Sequence, residues 1–135
     1  MLSIDNVSIR YEARTGLRAI SFGVNAGEVL AVIGPNGVGK STLIRACSGN
    51  LRPIDGSVFI DKRDVYRLRV EDRAKLMAVV PQAVRLPESF SVFETVLMGR
   101  TPFLGWLGRE SEQDRSAVQA ALDRTCTLDL AGRPI

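Results

Sequence analysis

The stretch Glu28-Val29-Leu30-Ala31-Val32-Ile33, running directly into Gly34-Pro35-Asn36-Gly37-Val38-Gly39-Lys40-Ser41-Thr42, decides the fold. Val29–Ile33 is a short, unbroken apolar run between Gly27 and Gly34, which predicts a strand buried on both faces, as in a parallel sheet. Leu43-Ile44-Arg45-Ala46-Cys47 reads as a helix, ended by Ser48, Gly49 and Asn50, with Pro53 just beyond. Strand, glycine-rich loop and helix in that order set a row of backbone amides where one chain segment stops and the next begins.

Gly34-x4-Gly39-Lys40-Ser41 is a complete P-loop pattern in the context it requires. ATP is a dense polyanion, so a loop that holds it must bring N–H groups close around phosphate oxygens. Gly34, Gly37 and Gly39 permit the positive φ and the close approach that a side chain would block, while Pro35, Asn36 and Val38 complete the loop's backbone. The helix N-terminus adds unpaired donors and partial positive charge. Lys40 offers a point charge to the β- and γ-phosphates, Ser41 a hydroxyl to Mg²⁺, and Thr42 a further donor.

Working outward, Leu2, Ile4, Val7 and Ile9 mark an extended segment whose alternation slips once near Asn6. Ile20, Phe22 and Val24 alternate cleanly before a turn at Asn25-Ala26-Gly27. A short strand is expected at Gly56–Asp61, a helix around Val70–Lys75, and a second buried strand at Leu76–Val80, leading into Pro81-Gln82. After Pro87, Val92, Val96 and Leu97 fit one helix face, Gly99 to Gly108 reads as a loop, and Glu110–Thr125 as a second helix with Val118, Ala121 and Leu122 along one side.

Composition adds exclusions. The 135 residues are 45% hydrophobic and 24% charged, as in a globular protein, and the net charge of +3 is scattered. Without a basic stripe or interleaved aromatics, nucleic acid is not expected as a partner. Cys47 and Cys126 are far apart and outside any CxxC spacing, so they read as two reduced thiols. No basic segment followed by an apolar stretch opens the chain, so no signal peptide is expected. The longest apolar run falls far short of the roughly 20 residues of a membrane span. A membrane role would therefore come through a partner.

Gly34–Thr42, with Gly27-Glu28-Val29 before it, resembles the P-loop of ABC-type ATPases. Tyr11 sits where that family has an aromatic residue stacked on adenine, and Gln82, closing Val79-Val80-Pro81-Gln82, resembles the family's Q-loop glutamine, which contacts Mg²⁺ or the attacking water. Phe90-Ser91-Val92-Phe93-Glu94-Thr95-Val96-Leu97-Met98-Gly99-Arg100 resembles importers of iron–siderophore complexes, haem and cobalamin. The resemblance covers the whole chain. It implies an α/β P-loop NTPase fold: a RecA-like parallel sheet with N-terminal antiparallel strands and the start of a helical subdomain, truncated. Residues 1–86 would form the N-terminal part of the nucleotide-binding core and 87–135 the beginning of the helical subdomain.

By that resemblance the chain is an ATP-binding subunit of an importer, coupling ATP binding and hydrolysis to uptake. It would pair with a second copy of itself and with transmembrane permease subunits, at the cytoplasmic face of the membrane. ATP and Mg²⁺ are the implied cofactors, with Lys40 and Gln82 as catalytic groups and Ser41 and Gln82 at the metal. The family's Leu-Ser-Gly-Gly signature, its Asp-Glu strand end and its histidine have no counterpart here, so the sequence is expected to stop before them and to bind ATP while scarcely hydrolysing it. Val58-Phe59-Ile60-Asp61 imitates the Asp-bearing strand, but too early and with Lys62 where a Glu belongs, so Asp61 is not expected to bind metal. Alternatives are a non-transport ATPase of the same superfamily, a non-hydrolysing ATP-binding fragment, or another P-loop class; against a GTPase, no Asn-Lys-x-Asp element is present.

Overall fold

The computed structural model describes residues 1–11, 14–82, 89–105 and 108–135. They fall into two compact units, Met1–Val79 and Val80–Ile135, each treated by itself below. The division expected after residue 86 lies outside the described residues.

In the first unit, β1 (Leu2–Tyr11) and β2 (Arg14–Val24) form an antiparallel hairpin. β3 (Asp55–Ile60) pairs with the other edge of β1, and the short β4 (Arg63–Asp64) follows, giving the order β2-β1-β3-β4. The slip in alternation near Asn6 is a β-bulge. Asn6 takes φ 50°, and both ladders of β1 shift register across it. One extra residue keeps Ile4, Val7 and Ile9 all buried, although Ile4 and Val7 are three positions apart. The bulge imposes a glycine on its neighbour. Gly56 has φ 83°, and a Cβ there would run into the carbonyl oxygens of Asp5 and Asn6.

α1 (Lys40–Cys47) lies on this sheet, and its Ala46 joins Ile4, Val7, Ile9, Val58 and Val65 in one core. Burying each larger member of that set stabilises the fold by about 1.5–3 kcal/mol. Tyr66 ties the far end of α1 to the chain that follows: its hydroxyl lies 2.6 Å from the Ala46 carbonyl and 2.8 Å from that of Leu51. The Ala46 carbonyl belongs to the last turn of α1 and also accepts from the Gly49 amide at 2.9 Å, while Leu51 lies in the segment after the helix. Burial pushes the Tyr66 phenol up to about 12. α2 (Val70–Leu76) closes the unit where a helix is expected.

The two buried strands expected of a parallel sheet are not formed. Val29–Ile33 and residues 77–80 carry no ladder, and Val29, Ile33 and Val80 are each at least 90% exposed. A strand exists only through its partners, and neither run finds one among the described residues: the sheet that forms is antiparallel throughout. The alternation of the first run persists nonetheless. Leu30 and Val32 line an open cavity of about 430 Å³ with Phe22, Leu43, Ile44 and Leu76, while Val29 and Ile33 face away.

In the second unit, α3 (Val92–Met98) is followed by a 3₁₀ turn at Thr101–Phe103 and by α4 (Glu112–Arg124). Each helix opens with a capping box, Ser91 with Glu94 and Ser111 with Asp114. Asp114 also accepts from Arg100 Nε at 3.0 Å, and Arg100 lies over the Phe103 ring, 4.0 Å from its centre. Val118 and Leu122 bury the inner side of α4. The chain end returns to α3, with Ile135 donating to the Phe90 carbonyl at 3.0 Å and Val92 to that of Arg133 at 2.9 Å.

Two outcomes follow from these contacts. The exposed apolar runs of the 135-residue chain should bind a hydrophobic dye and drive association as concentration rises; a sharp, concentration-independent melt of a dye-free monomer would contradict this. The Ser111 hydroxyl, the Ser111 amide and Arg100 hold Asp114 down at about 2. Because its folded value is depressed, its contribution is complete above the unfolded carboxylate value of about 4 and is lost as pH falls toward 2. Asp114→Asn should therefore flatten the acid limb of the α3–α4 melting midpoint between pH 5 and pH 2, read by circular dichroism.

Candidate functional site

The loop from Gly34 to Lys40 takes the backbone geometry that its glycines make available. Gly34, Gly37 and Gly39 have φ of 153°, 81° and 107°, a region that side chains rarely enter. The Val38 amide turns back on the Pro35 carbonyl at 3.5 Å, and α1 begins with the Leu43 amide bonded to the Gly39 carbonyl at 2.9 Å. Lys40 closes the loop into a ring: its Nζ donates to the Gly34 and Pro35 carbonyls, both at 2.8 Å. An ammonium carries three protons, so two such bonds leave one for a ligand.

The start of α1 differs from those of α3 and α4. Its N-cap is Gly39, which has no side chain to accept a hydrogen bond, and no acidic residue stands in its first turn. The first-turn amides, including those of Ser41 and Thr42, therefore have neither an intrahelical acceptor nor a side-chain cap. α3 and α4 spend a serine and an acidic residue on the same groups. A helix that leaves its donors and its positive dipole end uncovered beside a ring of glycine amides suits an oxyanion of high charge density. The Ser41 side chain is exposed at this end, as a hydroxyl that reaches a phosphate-bound cation must be.

The structure brings Gly34 to Thr42 together in the first unit. Tyr11 ends β1 opposite Arg14, and its side chain lies outside the described residues. Gln82 lies in an exposed bend of the second unit. Asp61, set aside above, sits in the turn after β3 with φ 46° and accepts from the Met1 amino group at 2.7 Å, which holds its carboxyl below the usual range. Tyr66, which fixes the far end of the loop-bearing helix, carries no sequence signal beyond being an aromatic residue after a turn.

This arrangement is that of a P-loop NTPase. Solved structures agree: a metal-chelate type ABC transporter in an inward-facing conformation superposes with a TM-score of 0.78 at 30% identity, covering 98% of this chain and 47% of that one. A nucleotide-free ATP-binding cassette from an ABC transporter gives a TM-score of 0.78 at 25% identity, covering 99% and 57%. The sequence profile of the ABC transporter family matches residues 17–135, and the chain belongs to that family. It is 40% identical over 133 residues to a hemin import ATP-binding protein of Gloeobacter violaceus, covering 98% of this chain and 48% of that protein. It is 34% identical over 134 residues to a probable siderophore transport system ATP-binding protein of Bacillus subtilis, covering 99% and 49%. The chain spans about half the length of the curated relatives it matches.

If Lys40 holds the loop closed before any ligand arrives, Lys40→Ala should speed amide hydrogen exchange at residues 36–41 in the nucleotide-free protein and leave the β1–β2 hairpin unchanged. Equal exchange in variant and parent would show that the two carbonyl contacts contribute nothing.

Proposed function

We propose that this chain binds Mg-ATP at Gly34–Thr42 as the nucleotide-binding subunit of an ABC importer, and that the cargo is an iron–siderophore complex, haem or cobalamin. The observation that carries the proposal is the loop itself: three glycines at positive φ, a lysine held in the ring, and an uncapped helix N-terminus. The relatives' own roles, hemin import and siderophore transport by name, favour the cargo class.

In this reading the available backbone N–H groups of the loop, among them those of Gly37 and Gly39, and those of the first turn of α1 surround the β- and γ-phosphates, and the remaining proton of Lys40 bonds to them. The Ser41 hydroxyl and Gln82 would hold Mg²⁺, which supplies further neutralisation of phosphate charge when bound. Tyr11 would stack on the adenine. Phosphoryl transfer to water needs positioning and charge neutralisation, and these residues supply the phosphate side of both.

In the intact protein two such subunits would pair and join transmembrane permease subunits, with this chain at the cytoplasmic face. No helix among the described residues is long and apolar enough to cross a membrane. Differential nucleotide affinity between open and closed subunit pairs moves the permease. The 135 residues contain no Asp-Glu strand end or Leu-Ser-Gly-Gly segment, so binding is expected from them and turnover is not.

Calorimetry of the full-length protein should show saturable Mg-ATP binding that Lys40→Ala weakens by roughly a hundredfold, since it removes a charge-assisted contact to phosphate. The 135-residue chain should release phosphate no faster than buffer. Absence of any heat with Mg-ATP from the folded full-length protein would overturn the proposal.

A further inference from the structure

We infer that Leu17 is a positioning residue of the phosphate loop: its side chain is the floor on which Gly39 rests, and through it the β1–β2 hairpin sets where α1 begins. The three loop glycines differ in what surrounds them. A Cβ on Gly37 would meet nothing within 4 Å, and one on Gly34 would meet only Val38 of the same loop, at 3.2 Å. One on Gly39 would lie 2.9 Å from Leu17 Cδ2, 3.3 Å from Cγ and 3.7 Å from Cδ1. Of the three, only Gly39 would meet a side chain from outside the loop, and the nearest such side chain is Leu17.

Leu17 is itself anchored. It stands opposite Ile9 in the β1–β2 register, Ile9 is fully buried, and Leu17 packs against the core cluster that Ile9 shares with Ala46 of α1. Gly39 is the N-cap of α1, so its height above Leu17 decides where the uncapped first-turn amides lie. Close packing transmits such a displacement, because a void under the loop leaves no contact to hold it in place. Removing the floor lets Gly39 sink and carries the amides out of register with the phosphates. This inference rests on the proposed ATP site.

The test separates an effect on the phosphate end from one on the base. Binding of Mg-ATP and of Mg-tripolyphosphate to the full-length protein is measured by calorimetry for the parent, Leu17→Ala, Leu17→Met and Tyr11→Ala, each checked for folding by circular dichroism. Leu17→Ala should weaken both ligands by the same factor, roughly tenfold or more. Leu17→Met, which keeps the apolar volume, should return both toward parental values. Tyr11→Ala should weaken ATP alone. If Leu17→Ala does not fold, Leu17→Val is measured in its place and judged by the same criterion. Tripolyphosphate bound by the truncated variant as tightly as by the parent overturns the inference. A parent that binds neither ligand overturns instead the assignment of the site.

Discussion

The loop holds together around one cation. Lys40 donates to two carbonyls of the segment that precedes it, Gly34 and Pro35, while its own backbone starts α1. That contact joins the end of the apolar run to the start of the helix and closes the intervening residues into a ring. The ring is possible only because Gly34, Gly37 and Gly39 accept φ values that an L side chain would oppose. It stays in place because α1 is fixed at both ends. Gly39 rests against Leu17 at one end, and Tyr66 holds carbonyls at the other.

The starts of α1, α3 and α4 are capped differently. α3 and α4 each use a serine and an acidic residue to satisfy their first amides, a gain of about 1 kcal/mol per cap over an uncapped end. α1 forgoes that gain. A capping carboxylate in its first turn would stabilise the helix and would also occupy the donors and repel a polyphosphate. The unsatisfied end is thus a cost in stability that an anion bound there would offset.

The first unit also shows how far an antiparallel meander can go towards burying a core alone. β1 to β3 and α1 bury Ile4, Val7, Ile9, Ala46, Val58 and Val65, whereas Val29 and Ile33 remain open to solvent. Antiparallel neighbours come from nearby sequence through short turns, but parallel strands need crossovers and partners from further away. With the chain spanning about half the length of its curated relatives, the local pairings are those that the described residues can complete.

The spacing Gly34-x4-Gly39-Lys40-Ser41 by itself determined the course of this loop, because close backbone approach and φ values of 81° to 153° are demands that glycine meets most readily, and they show as residue identities. The slip in alternation near Asn6 was legible along the chain, and helical segments were expected after Pro87 and over Glu110–Thr125, where α3 and α4 form; that the slip is a bulge, and that Ser91 with Glu94 and Ser111 with Asp114 start those helices, came from the structure. Strand status for Val29–Ile33 was not legible, since an apolar run records a demand for burial and not whether a partner meets it. Only the tertiary structure decided that Lys40 turns back on its own loop, that Leu17 lies under Gly39 and that Tyr66 grips α1. Those contacts join residues from different elements, and no pattern of neighbours along the chain encodes a distance across it.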